Sequence, residues 1–164
     1  MKREAQTIVH PLDPVFREDS RILILGSFPS FLSRRNQFYY GNPQNRFWKV
    51  LSAVFHCPEP KTNEEKRDLL LSNRVALWDV IASCRISGSA DSSISGVVPN
   101  DLSGILSHAP IEKIFLNGKT AERLFRKHHS EIKLPVVVLP STSPANAAWS
   151  LERLLENWSR AFQS

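Results

Sequence analysis

Four short runs of nearly unbroken aliphatic residues, at 21–26, 75–81, 113–116 and 136–139, constrain this chain more than any other feature. A strand with one wet face alternates apolar and polar residues, and these runs do not alternate. They suit strands buried on both faces, which is the habit of parallel sheets. Each run leads into a polar loop and then, with one longer detour, into apolar residues at helical spacing. Phe47, Val50, Leu51, Val54 and Phe55 form one such pattern, and Leu102, Ile105 and Leu106 another. Ala121, Leu124 and Phe125 follow, then Leu151, Leu154, Leu155 and Trp158. Strand–helix alternation of this kind predicts an α/β protein, a three-layer α/β/α sandwich around a central four-stranded parallel sheet. Thr62 and Glu65 have the spacing of a capping box that opens a further helix.

The 164 residues are expected to form a single domain, 1–164, whose first 20 residues are an arm, since Pro11, Asp13 and Pro14 exclude a long element. The Ser/Gly-rich stretch 85–99 reads as an ordered loop, because strands continue beyond it. Two cysteines make neither a disulfide framework nor a four-thiolate cluster. With no secretory leader and no apolar stretch of membrane-spanning length, a cytoplasmic protein without membrane attachment is expected. A formal charge of +5 permits a nucleic-acid partner without requiring one.

In a parallel sheet the ligand sits outside the carboxyl ends of the strands. That rule selects loops 26–46, 82–99, 117–119 and 140–146. The first carries Phe28, Phe38, Tyr39 and Tyr40 as rings and Asn42, Gln44 and Asn45 as amides. No acid occurs between Asp19 and Glu59, whereas Arg21, Arg34, Arg35, Arg46 and Lys49 all do. Rings, amides and cations without carboxylates suit a base extruded from a nucleic acid and the phosphates beside it. An Asn before an apolar helix equally suits capping, and for Asn45 both readings stand.

In the last loop, Ser141, Thr142, Ser143 and Asn146 lie around two prolines, a rigid turn able to offer N–H groups to phosphate oxygens. Capping of the final helix by Ser143 or Asn146 is the plainer alternative. Lys119 follows Gly118 at a strand-to-helix junction without P-loop spacing, and reads as a cation for a backbone phosphate or a solvated lysine. There is no nucleophile elbow and no metal-ligand spacing, so neither metal nor cofactor is expected. His128 and His129 read as solvated surface.

Residues 26–30, Gly-Ser-Phe-Pro-Ser, with 42–48, Asn-Pro-Gln-Asn-Arg-Phe-Trp, resemble the first motif of the uracil-DNA glycosylase superfamily. The turn at 141–146, Ser-Thr-Ser-Pro-Ala-Asn, is similar to its second motif, and the pair points to the hypoxanthine (deoxyinosine) branch. The resemblance runs from about residue 20 to 162 and implies strand order 2-1-3-4. It implies a monofunctional glycosylase of base excision repair, acting on DNA that contains a deaminated base and expected to be a monomer. Asn45 would orient the attacking water, and Tyr40 would stack on the base. Phe28 would wall the pocket, and backbone groups at Ser27 would meet the base edge. Phe28 stands where the mismatch-specific branch has Asn, a departure that argues against uracil. Asp91, the one acid of loop 82–99, is a second candidate for the water. A uracil glycosylase and a non-catalytic nucleic-acid-binding module are the competing expectations. The iron–sulfur branches need more cysteines than the chain has.

Overall fold

The computed structural model describes residues 6–86 and 94–163. Its central sheet is parallel and four-stranded, made of β2 (Ile22–Gly26), β3 (Val75–Asp79), β6 (Lys113–Asn117) and β7 (Val136–Leu139) in the order β3-β2-β6-β7. This is the expected 2-1-3-4 order. The register sets Ile24 beside Leu77 and Phe115, so one pleat phase gives one face of the sheet.

Both faces are covered. Ile24, Val75, Leu77 and Phe115 pack against α2 (Phe47–Val54), α3 (Asn63–Ser72) and α6 (Leu151–Gln163). Leu23, Leu25, Ala76, Ile114 and Leu116 face the other way, onto α4 (Ser103–His108) and α5 (Lys119–His128). Fully burying an aliphatic side chain contributes about 1.5–3 kcal/mol, so these unbroken runs account for much of the fold's stability. The capping box forms as the spacing predicts: Thr62 Oγ1 accepts from Glu65 N at 3.0 Å, and Glu65 Oε2 from Thr62 N at 3.3 Å.

Five local expectations are corrected. The second aliphatic run does not reach residue 81 as one strand. β3 stops at Asp79, and a new strand, β4 (Ile81–Ile86), joins a separate antiparallel sheet. That sheet, ordered β1-β4-β5, draws β1 (Gln6–Val9) from the expected arm and β5 (Ser95–Pro99) from the expected loop at 85–99. Loop 26–46 likewise contains a short helix, α1 (Phe31–Asn36), capped by Ser30 Oγ. His129 is buried beside the Phe125 ring at 5.6 Å rather than solvated, and that burial lowers its pKa.

The turn from one sheet to the other is tightly tied. Val80 N donates to Gly26 O at 2.9 Å and Ile81 N to Ser27 O at 3.1 Å. Buried Asn100 spans the switch, its Nδ2 donating to Asp79 O at 2.9 Å and Ile81 O at 3.1 Å. The switch leaves the Asp79 side chain at the carboxyl end of the parallel sheet.

Candidate active site

A cavity of about 320 Å³ opens at that end, within the usual range for small-ligand sites. Of the residues singled out from sequence, Ser27, Phe28, Tyr40, Asn45, Ser141, Thr142 and Ser143 line it. Lys119 and Asn146 do not, and Asp91 lies outside the described residues.

Tyr40 is the most constrained wall. Its φ of 52° is in the left-handed region that a bulky residue rarely adopts. The conformation is held from three sides. Gly41 N donates to buried Ser33 Oγ at 2.8 Å, Phe47 stacks on the ring at 4.0 Å between centroids, and Asn117 Nδ2 donates to the Tyr40 hydroxyl at 3.1 Å. Strain of this kind persists only where the surroundings over-determine it. Gly26 is equally required, since a Cβ there would lie 2.6 Å from Asp79 Oδ1 and 2.8 Å from Tyr40 Oη. The neighbouring Tyr39 is buried, donating to Asp13 O at 2.7 Å. Burial first, and then the Asp79 charge, push its phenol pKa up and keep it a donor.

Asn45 sits at the start of α2. Its Oδ1 accepts from Phe47 N at 3.0 Å, so the side chain does bond the first turn of the helix. The N-cap position itself is Arg46, whose side chain makes no capping bond, so Asn45, one residue earlier, supplies the cap for Phe47 N, and that bond fixes the direction of the amide beside the cavity. Oδ1 keeps a second lone pair and Nδ2 its donors.

The next residue ties the two motif loops together. Arg46 N donates to Thr142 O at 3.1 Å. Its guanidinium donates to Ser143 O at 2.9 Å, to Asn146 O at 3.1 Å and to Trp149 O. On sequence Arg46 was one more cation of the first loop, and nothing in its spacing marks a bracket between residues about a hundred positions apart. Asn117 completes the join, with Thr142 N donating to its Oδ1 and its Nδ2 to Thr142 Oγ1, both at 3.1 Å. Its place at the end of the third parallel strand is the signal that could have found it.

The second loop differs from the expected ring of outward N–H groups. Thr142 N is held by Asn117, Ser143 N by Ser141 Oγ at 3.1 Å, Ala145 N by Ser143 Oγ at 3.2 Å and Asn146 N by Ser143 O at 3.0 Å. Asn146 Nδ2 closes the turn onto Ser141 O at 3.0 Å. Neither Ser143 nor Asn146 caps the last helix; Ser150 Oγ accepts from Arg153 N at 3.2 Å instead. Lys119 is exposed at the head of α5, next to Gly118, whose Cα packs so closely on Ser141 that a Cβ would meet it at 3.0 Å.

The cavity also contains a residue that the sequence reading passed over. Asp79 is 3% exposed, and its Oδ2 lies 2.8 Å from His10 Nε2. Its place at a strand end is hidden in the sequence, because the apolar run continues through Val80 and Ile81. His10, from the arm, sits edge-on to Phe28 with ring centroids 5.7 Å apart. Behind Phe28, Arg34 lies 5.8 Å from the ring centroid, its pKa lowered by burial.

Comparison with known proteins agrees with this architecture. Residues 14–163 match the uracil DNA glycosylase superfamily. Two curated relatives, each described as a hypoxanthine DNA glycosylase, come from Methanosarcina species. That of Methanosarcina acetivorans is 40% identical over 154 residues, covering 91% of this chain and 94% of the relative. That of Methanosarcina barkeri is 35% identical over 155 residues, covering 92% and 95%. The solution NMR structure of a Methanosarcina acetivorans protein, described as a candidate uracil DNA glycosylase, superposes with a TM-score of 0.80 at 35% identity, over 99% of this chain and 97% of that one. A doubly covered parallel sheet with its cavity walled by both motif loops, matched across nearly the whole chain, identifies the protein as a member of the uracil-DNA glycosylase superfamily.

Proposed function

We propose that this protein is a monofunctional DNA glycosylase that removes hypoxanthine from deoxyinosine in base excision repair. The observation that carries this reading is the cavity itself, walled by residues of both motifs, in a chain alike over nearly its full length to relatives described as hypoxanthine DNA glycosylases. A cavity of this size receives a base only after the base leaves the helical stack.

Hydrolysis of the N-glycosidic bond passes through an oxocarbenium-like sugar, with negative charge gathering on the departing base. Tyr40, backed on one face by Phe47, offers its other face to the base. Phe28 closes the wall. Asn45 accepts a hydrogen from the water that attacks C1′, using the lone pair its cap leaves over. An amide is too weak a base to remove the proton early, so the rate comes from positioning and from stabilising the leaving group. Ser141, Ser143 and Asn146 present the rigid turn to the DNA backbone, with side-chain donors rather than backbone N–H groups, whereas Thr142, expected to share that role, is fully buried and ties the turn to Asn117 instead. Lys119 adds a cation beside Ser141. The enzyme works as a cytoplasmic monomer.

No lysine is among the described residues lining the cavity. A lyase step needs an amine nucleophile, so the product is an intact abasic site. Duplexes carrying one hypoxanthine, xanthine or uracil, treated with alkali after incubation, test the reading. Cleavage of the hypoxanthine strand only after alkali, and no protein–DNA adduct under borohydride, are expected. Efficient cleavage of uracil alone would overturn the substrate assignment, and a trapped adduct the monofunctional one.

A further inference from the structure

Among the described residues, Asp79 is the one acidic side chain lining the cavity. The superfamily resemblance gave it no role. Its surroundings fix both its position and what it can bond.

His10 Nδ1 accepts from Leu12 N at 3.2 Å, which leaves the ring hydrogen on Nε2, and Nε2 lies 2.8 Å from Asp79 Oδ2. The imidazole therefore donates to one carboxylate oxygen. Phe28, edge-on at 5.7 Å, holds the ring in place. The other oxygen, Oδ1, is directed over Gly26, into space that only a glycine leaves open. A carboxylate has about four lone-pair sites and no hydrogen to give. One bond from a neutral ring leaves most of that acceptor capacity for whatever enters the cavity. Burying a carboxylate costs several kcal/mol unless it is well satisfied, so such a group favours an entrant that brings a donor.

Hypoxanthine and adenine differ in the hydrogen-bonding sense of the same atom. Deamination at C6 replaces an amino group by a carbonyl and places a hydrogen on N1, where adenine has a lone pair. We infer that Asp79 Oδ1 accepts the N1–H of the extruded purine, with His10 as the residue that positions it, so that adenine is rejected by lone-pair repulsion. This inference rests on the function proposed above. It makes discrimination depend on a feature that an apolar wall cannot sense, since sites built around a substrate N–H reject analogues lacking it far more strongly than shape alone allows.

The test is the affinity of the whole protein for duplexes with 2′-fluoro-deoxyinosine or 2′-fluoro-deoxyadenosine at one position, the fluorine preventing cleavage. The wild type is expected to prefer inosine. Asp79→Asn, whose amide serves either sense, should shrink the preference at least tenfold. His10→Ala should shrink it several-fold, and His10→Gln, which restores a donor, should recover most of it. A purely structural role for the pair would weaken both duplexes alike and leave the ratio unchanged, and that result would overturn the inference. Should Asp79→Asn fail to fold, an unchanged ratio in His10→Ala overturns it alone. A wild type without any preference for inosine would instead sink the hypoxanthine reading itself.

Discussion

The two sheets of this protein are made to different standards. In the parallel sheet Leu23, Ile24 and Leu25 are completely buried, and so are their neighbours Val75, Ala76 and Leu77. In the antiparallel sheet Val9 is 71% and Val98 54% exposed, and β5 has no buried residue. The first sheet is held by packing on both faces. The second packs on one face only, through Ile81, Cys84 and Ile86 of β4, and is tied at its edge by Asn100 and the His10–Asp79 pair. The first sheet buries both faces and positions the cavity; the second buries one face and sets His10 against Asp79 at the cavity's edge.

Substitutions should divide along that line. The largest effect is expected at Phe115, buried in β6 with its ring 4.6 Å from that of Phe162. Phe115→Ala should cost about 3–5 kcal/mol in urea unfolding. A loss below about 1 kcal/mol would mean that the two sheets do not differ as their burial says. Next comes Asn45→Ala, which should slow single-turnover excision at least about a hundredfold, worth roughly 2.7 kcal/mol of barrier. Stability should fall by only about 0.5–2 kcal/mol through the lost cap. Excision at the wild-type rate would leave Asn45 as a cap and nothing more.

Tyr40→Ala should weaken binding to hypoxanthine DNA by roughly 1–3 kcal/mol, the range for a base-stacking ring, with Tyr40→Phe close to wild type. If Phe behaves like Ala, the hydroxyl bonded to Asn117 is what counts, and stacking is the wrong role. The smallest effect belongs to the second sheet: Val98→Thr should change stability by no more than about 0.5 kcal/mol and leave excision as it was. A large loss there would show that this sheet carries part of the load assigned to the first.

The same division explains what could be read from the sequence. Strands buried on both faces are written as unbroken aliphatic runs, so β2, β3, β6 and β7 were legible, while their order is what the family resemblance implies. Strands with one wet face, such as 95–99 with its Ser and Gly, look like loop until a partner is known. Their pairing with β4 is long-range and has no local signature. The site divides likewise. Ser27, Phe28, Tyr40 and Asn45 lie on one short stretch of chain after a recognisable strand, interrupted only by α1, so they could be found together. His10 and Asp79 are 69 positions apart, and only the switch from one sheet to the other unites them. Arg46 was visible as a cation, but its acceptors are main-chain carbonyls, which every residue has and no sequence displays.

That arginine has a mechanical consequence. Because one guanidinium grips three carbonyls of the 143–149 segment and its own backbone grips a fourth, at Thr142, the turn at 141–146 cannot tilt without pulling on the first turn of α2. Asn45 is the adjoining residue, so a displacement of the turn acts as a lever on the amide. On the function proposed above, contact with the duplex and alignment of the water would be geared together, so that a strand seated askew on the turn would leave the amide out of line.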